Sequence, residues 1–232
     1  MSVSPPSSRT ASVRAPADKQ PDKRRRRSAI SRRRIIDAAI ELIALRGLAK
    51  TTLQTLSEAT GLSPTLVIFH FKTKERLYIE VLDHMGAAYR EGWRAAVDTP
   101  EASAAERLMR MIEYDIAFAA ERPKFLSVWY AFWGEAKGST LYKAISLWLD
   151  KMCLRDIEAA VREIVAEGGY QGVDPAVAAD VLYTMIFGHW LNAHLEPEAY
   201  RYEVAMKSFR CVLGAMFPNH FATERISTGR RL

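Results

Sequence analysis

At 232 residues, 49% of them hydrophobic and 26% charged, the chain can bury a proper core in one or two domains and has the make-up of an ordinary globular protein. No apolar run approaches the roughly 18–20 residues of a membrane span, and the arginine-bearing N-terminus lacks the apolar stretch of a secretory signal. The two cysteines, Cys153 and Cys211, sit in apolar-periodic segments, so a disulfide framework is not expected and a cytoplasmic location, close to the nucleoid, fits best.

Charge is unevenly placed. Residues 1–34 carry eleven Lys/Arg against Asp18 and Asp22, a net +9, and the rest of the chain is −3. Such asymmetry points to a polyanion, since Lys and Arg contacts to phosphate release condensed counterions. No basic amphipathic helix with bulky apolar residues accompanies the charge, so a membrane surface is not the expected partner.

Residues 1–28, rich in Ser, Pro, Ala and Arg, lack periodicity and read as a disordered basic extension ending in Arg24–Arg27. It serves either as a solubilising tail or as an arm that follows phosphates or enters a minor groove. A first helix is expected from about Ser31 to Arg46, with Ile35, Ala39, Leu42 and Ile43 on one side and Gly47 as its stop. Arg32, Arg33 and Arg34 would fall on its first turn, where cations oppose the helix dipole; phosphate contact explains them better.

Residues 51–75 carry two short apolar-periodic segments with a tight turn between them. Thr52 can cap a helix bearing Leu53, Leu56 and Ala59, and Gly61 supplies its left-handed end. Leu62 can fill the angle, Ser63 can cap a second helix and Pro64 suits that helix's first position; Leu66, Val67 and Phe71 form its inward side. This is the shape of a helix-turn-helix, about residues 52–71, whose second helix lies in a major groove. Thr73 can cap a longer helix to about Ala96.

Beyond it, helices are expected at about 104–120, from Pro123, at about 140–166, 175–194 and 198–216, with breaks at residues 98–103, at Arg122-Pro123, at Gly134–Ser139, at Gly168-Gly169-Gly172 and at Glu196-Pro197. Residues 219–232 read as a frayed tail, and no strand period stands out. The fold class is all-α, with about nine helices.

Residues 118–148 hold eight aromatics, Phe118, Phe125, Trp129, Tyr130, Phe132, Trp133, Tyr142 and Trp148. Phe125, Trp129, Phe132 and Trp133 share one helical face, and Trp148 lies on the stripe Leu141, Ile145, Trp148, Met152. Facing stripes could enclose a cation through the ring quadrupoles, with Asp115, Glu113 or Glu135 as counter-charge; they could equally be core. The two C-terminal helices are apolar over a broad arc, at Val177, Val181, Met185 and Ile186 and at Ala205, Phe209, Val212, Leu213 and Met216, and need a cover.

Residues 29–89 resemble the DNA-binding domain of TetR-family transcriptional regulators. The features that carry the likeness are RRRIIDAAIELIALRG, Thr51-Thr52 with Leu56, the turn Gly61-Leu62-Ser63, and Phe71-Lys72-Thr73-Lys74-Glu75 followed by Leu77. The resemblance implies a three-helix head joined by a fourth helix to a helical ligand-binding and dimerisation body at 90–218, with homodimers that match a palindromic operator in double-stranded DNA. It places Arg33, Thr52, Ser63, Pro64, Thr65, Ile68, Phe69, His70 and Lys74 at the DNA, Thr52 and Lys74 as backbone-positioning residues. The reading helix departs from the family at Thr65, Ile68 and Phe69 and is unusually apolar, suited to thymine methyls rather than bidentate base pairs, so no known operator transfers. His70 is either a contact or a structural histidine. The resemblance also implies dimer contacts at Val181, Met185, Phe209 and Leu213.

Trp129-Tyr130-Ala131-Phe132-Trp133, Leu141-Tyr142 and Gly188-His189-Trp190-Leu191 resemble the BetI branch of that family, whose regulators control the glycine betaine pathway and respond to choline. The ligand residues so implied are Phe118, Trp129, Phe132, Trp133, Tyr142, Trp148 and Trp190. The expected function is a homodimeric repressor released by a small ligand, choline or another quaternary amine; the alternative is a TetR-type regulator sensing a different aromatic or apolar molecule.

No Gly-rich phosphate loop is present, His189 and His194 are off the i,i+4 spacing of a helical zinc pair, and no Ser/His/Asp order has a supporting motif. No cofactor, metal or catalytic residue is expected, and an enzyme is the weaker alternative. A nonspecific architectural protein is another, distinguished by a specificity ratio near one.

Overall fold

The computed structural model describes residues 20–135, 138 and 140–221. Among the described residues it is all-helical, with nine helices: α1 (Gln20–Arg46), α2 (Leu53–Thr60), α3 (Pro64–Phe71), α4 (Lys74–Val97), α5 (Ala104–Glu121), α6 (Pro123–Glu135), α7 (Thr140–Gly168), α8 (Pro175–Leu195) and α9 (Tyr202–Met216). None of them is long and apolar enough to cross a membrane.

The helix ends follow from local chemistry. Thr52 and Thr55 form a reciprocal capping box at α2, and Gly61 closes α2 in the left-handed region at φ 64°. Ser63 accepts from the Leu66 N–H with Pro64 in the first turn of α3. Ser103 and Glu106 form a second capping box on α5. Asp174 takes the Ala176 N–H at 2.8 Å ahead of Pro175 on α8.

In the head, Ile35, Ala39 and Ile43 of α1 pack with Leu56, Val67, Phe71, Leu77 and Val81, all buried. The Tyr78 hydroxyl donates to the Leu48 carbonyl at 2.9 Å and lies 3.2 Å from that of Thr51, pinning α4 to the loop before α2. In the body, α5 is central, its Leu108, Met111, Ile112 and Ile116 shut off from solvent among the surrounding helices. Trp93 of α4 is fully buried and donates its indole N–H to Asp156 of α7 at 3.0 Å.

Several boundaries differ from expectation. Helix α1 starts at Gln20, not near Ser31, so the helical part of the basic extension reaches back over Arg24–Arg27; Pro21 is tolerated in a first turn and arginine is a good helix former even where no apolar face is present. Arg32–Arg34 therefore sit in mid-helix, and the dipole argument does not apply to them. Residues 1–19 lie outside the described residues. Helix α9 starts at Tyr202, because Ala199 and Tyr200 are held in a turn on the Glu196 carbonyl. Residues 219–221 are tied down rather than frayed: the Asn219 N–H donates to the Tyr170 hydroxyl at 3.0 Å, and Phe221 packs against the core. Residues 222–232 of the expected tail lie outside the described residues. Helix α4, as expected, runs unbroken past residue 89 to Val97.

Candidate nucleic-acid interface and ligand cavity

The outer face of the head is made by α3 and its surroundings. Ser63, Pro64 and Thr65 are exposed, and Ile68 and Phe69 are 45% and 59% exposed although apolar. Side chains that the short helix could have turned inward are presented to solvent. The inward side is Val67 and Phe71, at 1% and 3%.

Phe69 and His70 meet edge to face at 5.5 Å. Burial, then the nearby Arg32, pulls the His70 pKa below its ordinary 6.5, so the ring is neutral at pH 7. Helix α3 ends at Lys72, whose backbone has φ 63° and ψ −52°, a conformation a residue with a side chain adopts only under strain.

The remaining expected contacts divide. Thr52 is exposed at the N-terminus of α2, its hydroxyl used in the cap. The Lys74 ammonium donates to the Leu48 carbonyl at 3.2 Å and sits 5.2 Å from the Tyr78 ring centre, which leaves it partly engaged inside the head. Arg33 pairs with Asp37 at 2.8 Å and reaches His84, so it points toward α4 rather than outward alone. Arg32 pairs with Glu80 and lies over Phe71. Further back, Arg24–Arg27 are exposed, and among the described residues neither they nor the exposed Arg34 enter an ion pair.

The second site is enclosed in the body. Tyr89 of α4, Asp115 of α5, Phe125 and Trp129 of α6, Asp150 and Cys153 of α7, and Tyr183, Phe187 and Trp190 of α8 surround about 390 Å³ of empty space, with Leu149 and Ile186 completing the wall. Only about 30 Å³ of it admits the centre of a water molecule, so the walls are close set. Phe125 and Trp129 are stacked at 5.9 Å, and Phe118 backs Trp190 in a stack at 6.0 Å.

Two carboxylates face this aromatic enclosure. The Tyr89 hydroxyl donates to Asp115 Oδ1 at 2.9 Å and lies 3.2 Å from the Cys153 sulfur, while Asp115 Oδ2 has no hydrogen-bond partner. The Tyr183 hydroxyl donates to Asp150 Oδ1 at 2.8 Å. Burial raises the Asp115 carboxyl to about 7, opposed by the Tyr89 hydrogen bond and the nearby Trp190 indole, whose N–H donates to the Asp115 backbone carbonyl at 3.2 Å, and burial raises Asp150 as well. Aromatic faces with a buried acid are suited to an organic cation, because the charge both binds the ring quadrupoles and satisfies the carboxylate. Among the described residues no cluster of His, Cys, Asp and Glu is arranged to hold a metal.

Of the seven expected ligand residues, Trp129 and Trp190 line the cavity and Phe118 supports it. Trp133 stands outside, 37% exposed and 4.7 Å from the Phe187 ring. Phe132 is a correction: it is fully buried in core between Tyr78 and Tyr142, at ring distances of 5.5 and 5.1 Å, which also takes Tyr142 away from the cavity. Trp148 is another, 51% exposed on the outside of α7 with the Arg90 guanidinium 5.1 Å from its ring. Asp150, Tyr89, Tyr183 and Phe187 are cavity residues that no sequence signal marked. They come from three helices far apart in the chain, and no single periodicity links them.

The expected dimer residues also divide. Phe209 and Leu213 are completely buried inside the subunit and belong to its own core. Met185 is half-buried. Val181 is 41% exposed and lies on an outward stripe with Val177, Leu191 and Leu195 of α8, at 60%, 41% and 65%, beside Val204 of α9 at 59%.

Comparison with known proteins matches the chain in two stretches. Residues 35–81 match the family described as bacterial regulatory proteins, tetR family, and residues 104–218 match the BetI-type transcriptional repressor C-terminal domain. The HTH-type transcriptional regulator BetI of Rhizobium meliloti is 29% identical over 112 residues, 47% of this chain and 54% of that protein. The chain thus spans about half the length of the curated relatives it matches. In fold, it is similar to a transcriptional regulator from Saccharomonospora viridis in complex with choline, at TM-score 0.71 and 21% identity, covering 80% of this chain and 96% of that one. It is also similar to AibR in complex with isovaleryl coenzyme A and operator DNA, at TM-score 0.63 and 21% identity, covering 81% and 98%.

Proposed function

Because the chain belongs to the TetR family of bacterial regulatory proteins, with a BetI-type C-terminal domain, we propose that it is a homodimeric repressor that releases its operator on binding a small organic cation, choline or a related quaternary amine. The observation that carries the ligand class is Asp115, a buried carboxylate with one unpartnered oxygen in a chamber walled by Trp129, Trp190, Tyr89 and Phe125. Each ring face adds about 0.5–2 kcal/mol to the hold on a cation. The choline bound by the Saccharomonospora viridis protein supports the same reading.

The head supplies DNA contact through Ser63, Thr65, Ile68 and Phe69 on the outer side of α3, with Thr52 positioning the backbone. The outward apolar stripe on α8 and α9 is the surface on which a second copy would pair, giving two heads at the spacing of a palindrome. Helix α6 offers the link between sites. Its Phe125 and Trp129 wall the cavity, while Lys124 pairs with Glu41 of α1 at 2.7 Å and Phe132 meets Tyr78 of α4. A ligand that parts the close-set walls moves α6 against both helices and changes the separation of the heads. Ligand and operator then oppose one another through one coupling free energy.

Calorimetric titration with choline tests the ligand class. The wild type should saturate, and Trp129→Leu should bind roughly 3- to 30-fold more weakly, as expected when one ring is removed. A flat wild-type titration would remove choline, and saturation by an uncharged apolar compound instead would favour the second reading, a sensor of another small molecule.

A further inference from the structure

We infer that the groove between the N-terminal segment of α1 and helix α3 seats one sugar–phosphate strand of the duplex, so that the chain grips DNA with a helical arm as well as with α3. The inference rests on α3 being the element that enters the major groove.

The groove is open to solvent and spans about 1250 Å³. Arg24, Arg25 and Arg27 line one wall and Leu66, Phe69 and His70 the other; no carboxylate lines it among the described residues. Lys23 adds a further cation, and Ser28 and Ser31 contribute hydroxyls. These arginines differ from Arg32 and Arg33 later in the same helix, which are engaged by Glu80 and Asp37. Among the described residues, Arg24, Arg25 and Arg27 enter no ion pair and stand where α1 extends past the body of the head.

The dimensions select the occupant. A major groove about 12 Å wide is filled by one α-helix about 10–12 Å across with its side chains. Once α3 is inside, a second helix beside it cannot follow and must lie over the groove's edge. The object between the two helices is then the backbone strand that borders the groove, and its charge complements the arginine wall. Such contacts set position and affinity and carry no sequence information.

The test uses the full chain and its triple variant Arg24→Gln, Arg25→Gln, Arg27→Gln, with affinity for a mixed-sequence duplex measured by anisotropy over a range of salt. All three side chains are exposed, and equal thermal melts of variant and wild type would establish an intact fold. The slope of log affinity against log salt should become shallower by about 0.9 for each phosphate that is no longer neutralised, roughly 2–3 in all. The preference for an operator selected from a random pool should survive. An unchanged slope overturns the arm, as does a disappearance of sequence preference at constant slope. A wild-type pool that yields no preferred sequence removes the reading of α3 and the inference built on it.

Discussion

The head and the body handle charge in opposite ways. On the head, cations are placed outside, at Arg24–Arg27, and apolar residues are pushed out with them at Ile68 and Phe69. In the body, anions are placed inside, at Asp115 and Asp150, and aromatic rings close around them. The first arrangement costs little in solvation and is ready to meet a polyanion. The second holds a carboxylate where its charged form is disfavoured, and so makes a cation the missing partner.

The sharpest way to break this contrast is to put the wrong charge on the head. Ile68→Glu should lower operator affinity by at least about 100-fold, through like-charge repulsion from phosphate. Because Ile68 is exposed, the melting temperature and the choline affinity should be unchanged; a parallel fall in choline binding would show that the two regions are not separable.

The complementary change is Asp115→Asn. Choline should bind roughly 30-fold more weakly or worse, since one member of a buried charge pair is gone, while ligand-free DNA affinity is retained. Equal choline affinity in the two proteins by calorimetry would transfer the counter-charge to Asp150.

A smaller effect follows from pH. Folding raises Asp115 from 3.8 to about 7, so the buried neutral acid is favoured. Its contribution to stability is complete below the unfolded value and is lost as the pH rises through about 7. The wild type should therefore lose melting temperature between about pH 4 and pH 7 relative to Asp115→Asn, and level off above that. Choline affinity should move the other way, rising about tenfold per pH unit up to that value and levelling above it. The charged or titratable groups facing Asp115 are Tyr89 on α4, Tyr114 on α5, Cys153 and Asp150 on α7 and Tyr183 on α8. All of them are acids, neutral or anionic, so none supplies a competing positive charge, and burial holds each toward its neutral form.

The smallest effect concerns the joint between α3 and α4. Lys72→Gly relieves the backbone at φ 63° and should raise stability by up to about 1 kcal/mol, seen as a higher midpoint in urea.

The same contrast explains what the sequence disclosed. The head was legible because its signals are local: Thr52, Gly61, Ser63 and Pro64 each act on neighbours within one turn. The start of α1 was not legible, because exposed arginines leave no apolar period to follow. The cavity was legible through Phe125, Trp129 and Trp190, and through Asp115 as one of three candidate counter-charges. A helical stripe of aromatics says which residues share a face but not whether that face meets core, chamber or solvent. Phe132, Trp129 and Trp148 ended in each of the three. Phe209 and Leu213 failed for a related reason, since an apolar arc wide enough for two neighbours does not say which part belongs to the subunit itself.

Helix α6 is at once a wall of the chamber and the buttress on which α1 rests. A substitution at Phe125 or Trp129 that re-sizes the chamber also alters the seat of the reader. Two tasks that share a beam cannot drift apart freely: in lineages built this way, a new chemical preference must be accompanied by compensating change along Glu41, Lys124 and Tyr78.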